Sequence, residues 1–110
     1  MLKINLMFSI FKNLFKSTAV DLSQLIKDGA AIIDVRSKAE FASGHVKGSI
    51  NIPLEQIASN ADKLKKHPAI IVCCRSGNRS GMAQRTLQSK GLKNVTNGGS
   101  WQNVNQYAKK

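Results

Sequence analysis

Apolar residues change their spacing along this chain, and the changes mark its elements. In the first 20 residues Met7, Phe8, Phe11, Leu14 and Phe15 recur at helical spacing, with Ser9, Lys12, Asn13 and Lys16 on the opposite face. From residue 21 the pattern predicts helices alternating with strands. A helix spans 21–29, capped by Asp21 and ended by Gly29. The continuous apolar run of 30–35, AAIIDV, is of strand length. A short helix over 37–44 stops at Gly44, and a short strand over 48–53 stops at Pro53. Residues 54–66 are helical, in one piece or two, and 69–74, AIIVCC, form the strongest buried strand. A helix over 80–91 turns Met82, Ala83 and Leu87 inward and stops at Gly91. Residues 94–97 make a last short strand, Gly98 and Gly99 permit a sharp turn, and 100–108 close the chain as a helix. Strand–helix alternation predicts an α/β fold, a parallel sheet with helices on both faces.

The length, 110 residues, suits one domain, large enough to bury roughly two-thirds of its unfolded surface. The 17 Lys and Arg against 6 Asp and Glu give a net charge of +11, which favours anionic partners. Aromatics are only 5% of the chain and do not interleave with the basic residues, which argues against nucleic-acid binding. Two cysteines, Cys73 and Cys74, are neighbours and cannot build a disulfide framework. Adjacent positions on a strand also point to opposite faces. His45 and His67 stand apart from any cysteine pair, so no metal-ligand spacing exists.

Residues 1–17 form a basic amphipathic extension ahead of a domain over 18–110. Through residues 1–16 it packs on its own domain, on a partner or on an anionic membrane surface. Residues 1–19 read poorly as a secretory signal, because Lys12 breaks the apolar segment and Lys16 crowds the cleavage region. A free reactive thiol fits the cytoplasm, with the periplasm as the alternative if that signal is used.

The stretch VCCRSGNRSG, residues 72–81, carries the chemistry. Cys74 ends a buried parallel strand, and ligands bind beyond the carboxyl ends of such strands. The link Arg75, Ser76, Gly77, Asn78, Arg79, Ser80 can curl so that backbone N–H groups point inward and make an anion nest, backed by a helix N-terminus. Gly77 supplies the freedom the curl needs. A cysteine in this cradle has a lowered pKa and reacts as a thiolate. Cys73 faces the other way and reads as a small buried hydrophobe.

CRSGNRS resembles the active-site loop of rhodanese-type sulfurtransferases. DVRSKAEFASGHVKGSINIP, residues 34–53, resembles that family's upstream signature, and NGGSWQNV resembles its Gly-Gly-Trp segment. The three stand in order over about residues 21–107. The resemblance implies a five-stranded parallel sheet and a cycle through a Cys74 persulfide. Cys74 would take the sulfane sulfur of a small anionic donor such as thiosulfate and pass it to a thiol, a protein thiol or cyanide, with residues 75–80 holding the anion.

Cysteine phosphatases carry a similar loop. From Cys73 to Arg79 there are five intervening residues, the phosphatase length, and from Cys74 there are four, the sulfurtransferase length. Glycine decides: the third residue after Cys74 is Gly77, whereas the third after Cys73 is Ser76. Sulfur transfer is therefore preferred. A persulfide relay between proteins shares every one of these residues and stays open beside the enzyme. A non-catalytic interaction domain fits less well, because the nucleophile is present. Elsewhere, Asp34 and Arg36, at the end of the first buried strand, either touch the substrate or, as preferred, are structural, with Asp34 tying loops and Arg36 pairing with Glu40; Arg79 either holds the anion or pairs with Glu40 or Asp34. His45 is a hydrogen-bonded structural histidine, and Trp101 walls the pocket or fills the core.

Overall fold

The computed structural model describes residues 22–109. The basic extension over 1–17 and the Asp21 cap lie outside the described residues. In chain order the elements are α1 (22–27), β1 (Ala31–Asp34), α2 (Lys38–Ala42), β2 (Ile50–Asn51), two 3₁₀ turns (Leu54–Gln56 and Ala58–Asn60), α3 (Ala61–Leu64), β3 (Ile70–Cys74), α4 (Asn78–Ser89), β4 (Val95–Ser100) and α5 (Trp101–Ala108). The strands form one parallel sheet in the order β2-β1-β3-β4. Among the described residues the sheet has four strands rather than the expected five.

β3 runs through the middle of the molecule and is buried along its whole length. Its residues alternate between two cores. Ile70, Val72 and Cys74 pack with Ala83 and Leu87 of α4 and with Ile57, Ala61 and Leu64. Ile71 and Cys73 pack with Leu22, Ile32, Val46 and Val104, bordered by Trp101 and Tyr107. Helices therefore cover both faces, as the alternating pattern requires. No helix among the described residues is long and apolar enough to cross a membrane.

Three elements depart from the expected outlines. The helical stretch over 54–66 breaks into two 3₁₀ turns and the four-residue α3. There Ser59 Oγ and Asn60 Nδ2 donate to the Gln56 carbonyl, competing for the helix's own acceptor. Met82 faces outward, 49% exposed, because the inner stripe of α4 runs Ser80, Ala83, Leu87 and leaves Met82 off it. β4 does not end at Asn97 but continues to Ser100, with a slip in register opposite Val72 and Cys74. The slip needs both glycines. Gly99 has φ +82°, and a Cβ on Gly98 would lie 2.5 Å from Val104 Cγ2.

Candidate functional site

The carboxyl ends of β1 and β3 bring the site together. Asp34 pairs in register with Cys73, so the loop after β3 starts beside the loop after β1. Asp34 and Arg36 form a buried ion pair, with Arg36 Nη2 2.7 Å and Nε 2.9 Å from the Asp34 carboxylate oxygens. The expected Arg36–Glu40 side-chain pair is not made. Arg36 instead donates to the backbone carbonyls of Glu40 and Gly44, and its guanidinium lies 5.0 Å from the centre of the Trp101 ring. The carboxylate nearest in sequence, two residues away and fully buried, wins the guanidinium. Asn51 donates to the carbonyls of Asp34 and Arg36 and locks this corner.

Cys74 ends β3 and the chain curls at once. Gly77, at φ +100°, is the N-cap of α4, a conformation that suits glycine. The curl aims the Gly77 N–H at Cys74 Sγ, 2.9 Å away, and places Ser80 Oγ 3.3 Å from the same sulfur. Burial pushes the Cys74 thiol up, but the Ser80 hydroxyl and the backbone N–H groups of Ser80, Gly77 and Ser76 outweigh it and hold the thiol below its ordinary value. The loop amides converge on the sulfur itself, and Cys74 is fully buried beneath them. Cys73 meets the opposite environment. Desolvation, then the charge of Asp34, pushes its thiol up to about 12. Cys73 lies in the other core, so the five-residue loop count from Cys73 has no cradle behind it.

The remaining loop residues divide by exposure. Arg75, Ser76 and Asn78 are exposed, while Gly77 and Arg79 are half-buried. Arg75 joins no ion pair among the described residues. It borders a cleft of about 280 Å³ with Arg36, Glu40, Ser43, Trp101 and Gln102, so Trp101 both borders the core and walls the cleft. Arg79 turns to Glu40, with Nη1 2.8 Å and Nη2 3.0 Å from the two carboxylate oxygens. His45 Nδ1 lies 2.7 Å from the Phe41 carbonyl, and its ring stacks on Phe41. A second cleft, of about 260 Å³, opens at the amino ends of β3 and β4, far from the cysteines.

Two residues that sequence reasoning left without a role belong to this site. Asn97 accepts from Ser80 Oγ at 2.6 Å and from the Gly99 N–H at 3.0 Å, and donates to the Gly77 carbonyl at 3.1 Å. Asn51 braces the loop after β1. Asn97 precedes two glycines, which is ordinary turn composition, and Asn51 stands between two isoleucines in a short strand, so each lay inside a motif with no contact of its own to read.

With this geometry in place, comparisons with known proteins become informative. The sequence model described as "Rhodanese-like domain" matches residues 18–106. The Bacillus subtilis "Putative sulfur carrier protein YrkF" is 39% identical over 66 residues, which cover 60% of this chain and 36% of that protein, well under two thirds of its length. The Escherichia coli thiosulfate sulfurtransferase PspE is 32% identical over 74 residues, 66% of this chain and 71% of that protein. The solved structure of the human single domain sulfurtransferase TSTD1 superposes with a TM-score of 0.64 at 25% identity, covering 76% of this chain and 88% of that one.

Proposed function

This chain belongs to the rhodanese-like domain family of sulfurtransferases and sulfur carriers, and from that premise we propose that Cys74 carries a sulfane sulfur as a persulfide between a small anionic donor and a thiol or cyanide acceptor. The observation that carries the reading is the convergence of the Gly77 N–H and the Ser80 hydroxyl on Cys74 Sγ at the floor of the loop. Those donors favour the thiolate, which is the attacking form.

With thiosulfate as donor, the Cys74 thiolate attacks the outer sulfur. A sulfur–sulfur bond forms to Cys74, the donor's own sulfur–sulfur bond breaks, and its electron pair leaves with sulfite. The persulfide keeps one negative charge. An acceptor thiolate then attacks the outer sulfur of the persulfide and restores the Cys74 thiolate. Every species is anionic, and the converging amides stabilise that charge throughout. Because Cys74 is fully buried, the loop of exposed residues Arg75, Ser76 and Asn78 has to part for the donor to reach Sγ. Residues 75–80 would hold the donor, with Arg75 as the cation at the rim and Arg79 bracing the loop through Glu40. The reactive free thiol favours the cytoplasm.

A relay role, with protein donor and acceptor, is supported by the similarity to a protein named as a sulfur carrier. Steady-state rates separate the two: slow turnover of thiosulfate and cyanide beside fast transfer to a protein thiol favours the relay. The reading itself is tested by mass spectrometry after thiosulfate treatment. The native chain and Cys73→Ser should gain one sulfur at Cys74, and Cys74→Ser should gain none. Addition mainly at Cys73 would refute it.

A further inference from the structure

Asn97 touches the loop at points that fix more than its position. Its Nδ2 donates to the Gly77 carbonyl and its Oδ1 accepts from the Gly99 N–H. A flipped amide would set NH₂ against N–H and oxygen against carbonyl, so the orientation is determined. Oδ1 then faces Ser80 Oγ at 2.6 Å, and only the Ser80 hydrogen can fill that contact. The same Ser80 oxygen lies 3.3 Å from Cys74 Sγ. A hydroxyl has one hydrogen to donate, and Ser80 and Cys74 are both fully buried, so neither turns to solvent instead.

We propose that Asn97 is a positioning residue that contests the single Ser80 hydroxyl hydrogen with Cys74. The hydroxyl donates to Asn97 when the sulfur carries a proton or a second sulfur, and turns to Sγ when the sulfur is a bare thiolate. With a proton on Cys74 the chain of donors is complete, from S–H to Ser80 Oγ and from Ser80 O–H to Asn97. The bare thiolate draws the hydrogen away and leaves two oxygens facing each other at 2.6 Å. On the sulfur-carrying reading above, loading makes the inner sulfur a divalent atom without formal charge, so the hydrogen returns to Asn97. Asn97 thus makes the empty thiolate less comfortable and the loaded state more so. The loop is held shut by the same side chain that sets this balance.

The test is a double-mutant cycle over Asn97→Ala and Ser80→Ala, read by the pH dependence of Cys74 alkylation. The charged groups nearby, Arg79 with Glu40, Arg75 at the rim, and Asp34 with Arg36 behind Cys73, are the same in all four chains and cancel. Asn97→Ala should lower the alkylation midpoint by roughly half to one pH unit, one hydrogen bond's worth. Ser80→Ala should raise it, and by more in the Asn97→Ala background than in the native chain. Equal shifts in both backgrounds would reduce Asn97 to a loop brace and overturn the proposal. The equilibrium ratio of loaded to empty Cys74 against a small persulfide–thiol pair should also fall about three- to tenfold in Asn97→Ala. If even the native chain never loads, the sulfur-carrying reading fails, while the alkylation cycle still decides the contest for the hydrogen. If a variant does not fold, the infrared S–H stretch of native protein at low pH serves instead. Cys74 should show a band shifted to lower frequency by donation to Ser80, and an unshifted band overturns the proposal.

Discussion

The Arg79 guanidinium grips the Glu40 carboxylate through two hydrogen bonds, of 2.8 and 3.0 Å, across 39 positions of chain. The same carboxylate accepts from the Ser37 N–H and hydroxyl, and Ser37 Oγ in turn accepts from the Glu40 N–H, closing a capping box on the five-residue α2. One carboxylate therefore ties the first turn of α4, and with it the Cys74 loop, to a helix too short to stand without its cap. It also engages Arg79, so of the loop's two arginines Arg75 is the one that joins no ion pair among the described residues.

This clamp should appear in the acid limb of stability. The side-chain hydrogen bonds from Arg79, then the Ser37 backbone, bring Glu40 down to about 2. A carboxyl lowered in the folded state contributes stability that is fully present above its unfolded value, near 4.5, and is lost as pH falls toward about 2. Urea-unfolding midpoints of native and Glu40→Gln protein should differ most at neutral pH and converge as pH approaches 2. A gap that stays constant across this window would mean that ionisation of Glu40 plays no part in the clamp.

The sequence carried the site's centre because the relevant signals are local. An apolar run ending in Cys74, a glycine three residues on and a helix start are contiguous, and they located the curl around Cys74 and the opposite facing of Cys73. Partner choice was less legible. Arg36 went to Asp34, two residues away, because both are buried, and Arg79 met Glu40 across 39 positions, a juxtaposition only the fold provides. The Asn97 contacts were illegible for the same reason, since the slip in β4 that turns its amide onto the loop arises from packing at Gly98. Met82 reaches the surface because the inner stripe of α4 runs through Ser80, Ala83 and Leu87, a phase the apolar spacing alone did not settle.

Gly98 and Gly77 should fail differently when given a methyl group. A Cβ on Gly98 would lie 2.5 Å from Val104 Cγ2 and 2.8 Å from Ile71 Cγ2, both in the core, so Gly98→Ala should cost about 1–3 kcal/mol by overpacking. Gly77 has more room, its nearest neighbour being Gly99 Cα at 3.4 Å, but its φ of +100° penalises a side chain by about 1–2 kcal/mol. Thermal unfolding should rank Gly98→Ala as at least equally damaging. Cys74 alkylation should change more in Gly77→Ala, where the displaced N–H is the one that faces the sulfur. A larger alkylation change in Gly98→Ala would contradict this division.

Cys73 should be silent to reagents that find Cys74. Burial keeps its thiol protonated up to about 12, so alkylation below pH 10 should follow one titration and label one residue, which peptide mass mapping identifies. Because the unfolded thiol ionises near 9 and the folded one near 12, Cys73 should withdraw stability as pH rises between those values. Cys73→Ala should remove that alkaline slope at a cost of about 1 kcal/mol, comparable to deleting a buried methyl group. An unchanged slope would assign it to other groups.

Arg75 gives the sharpest test of the loop's electrostatics, because it is exposed and joins no ion pair among the described residues. Its charge can act on a donor only through solvent, where two unit charges about 4 Å apart interact by roughly 1–4 kcal/mol depending on local dielectric. Arg75→Ala should therefore raise KM for thiosulfate several-fold and leave a neutral sulfane donor nearly untouched. The difference between donors should shrink as ionic strength rises from 0.01 to 1 M, over which the screening length falls from about 30 to 3 Å. The Cys74 alkylation midpoint should move little, because the donors on Sγ are the Gly77 N–H and Ser80 rather than this guanidinium. Equal losses for charged and neutral donors, independent of salt, would show that Arg75 shapes the loop rather than attracting the anion, and the rim's positive charge would then have no part in choosing the substrate.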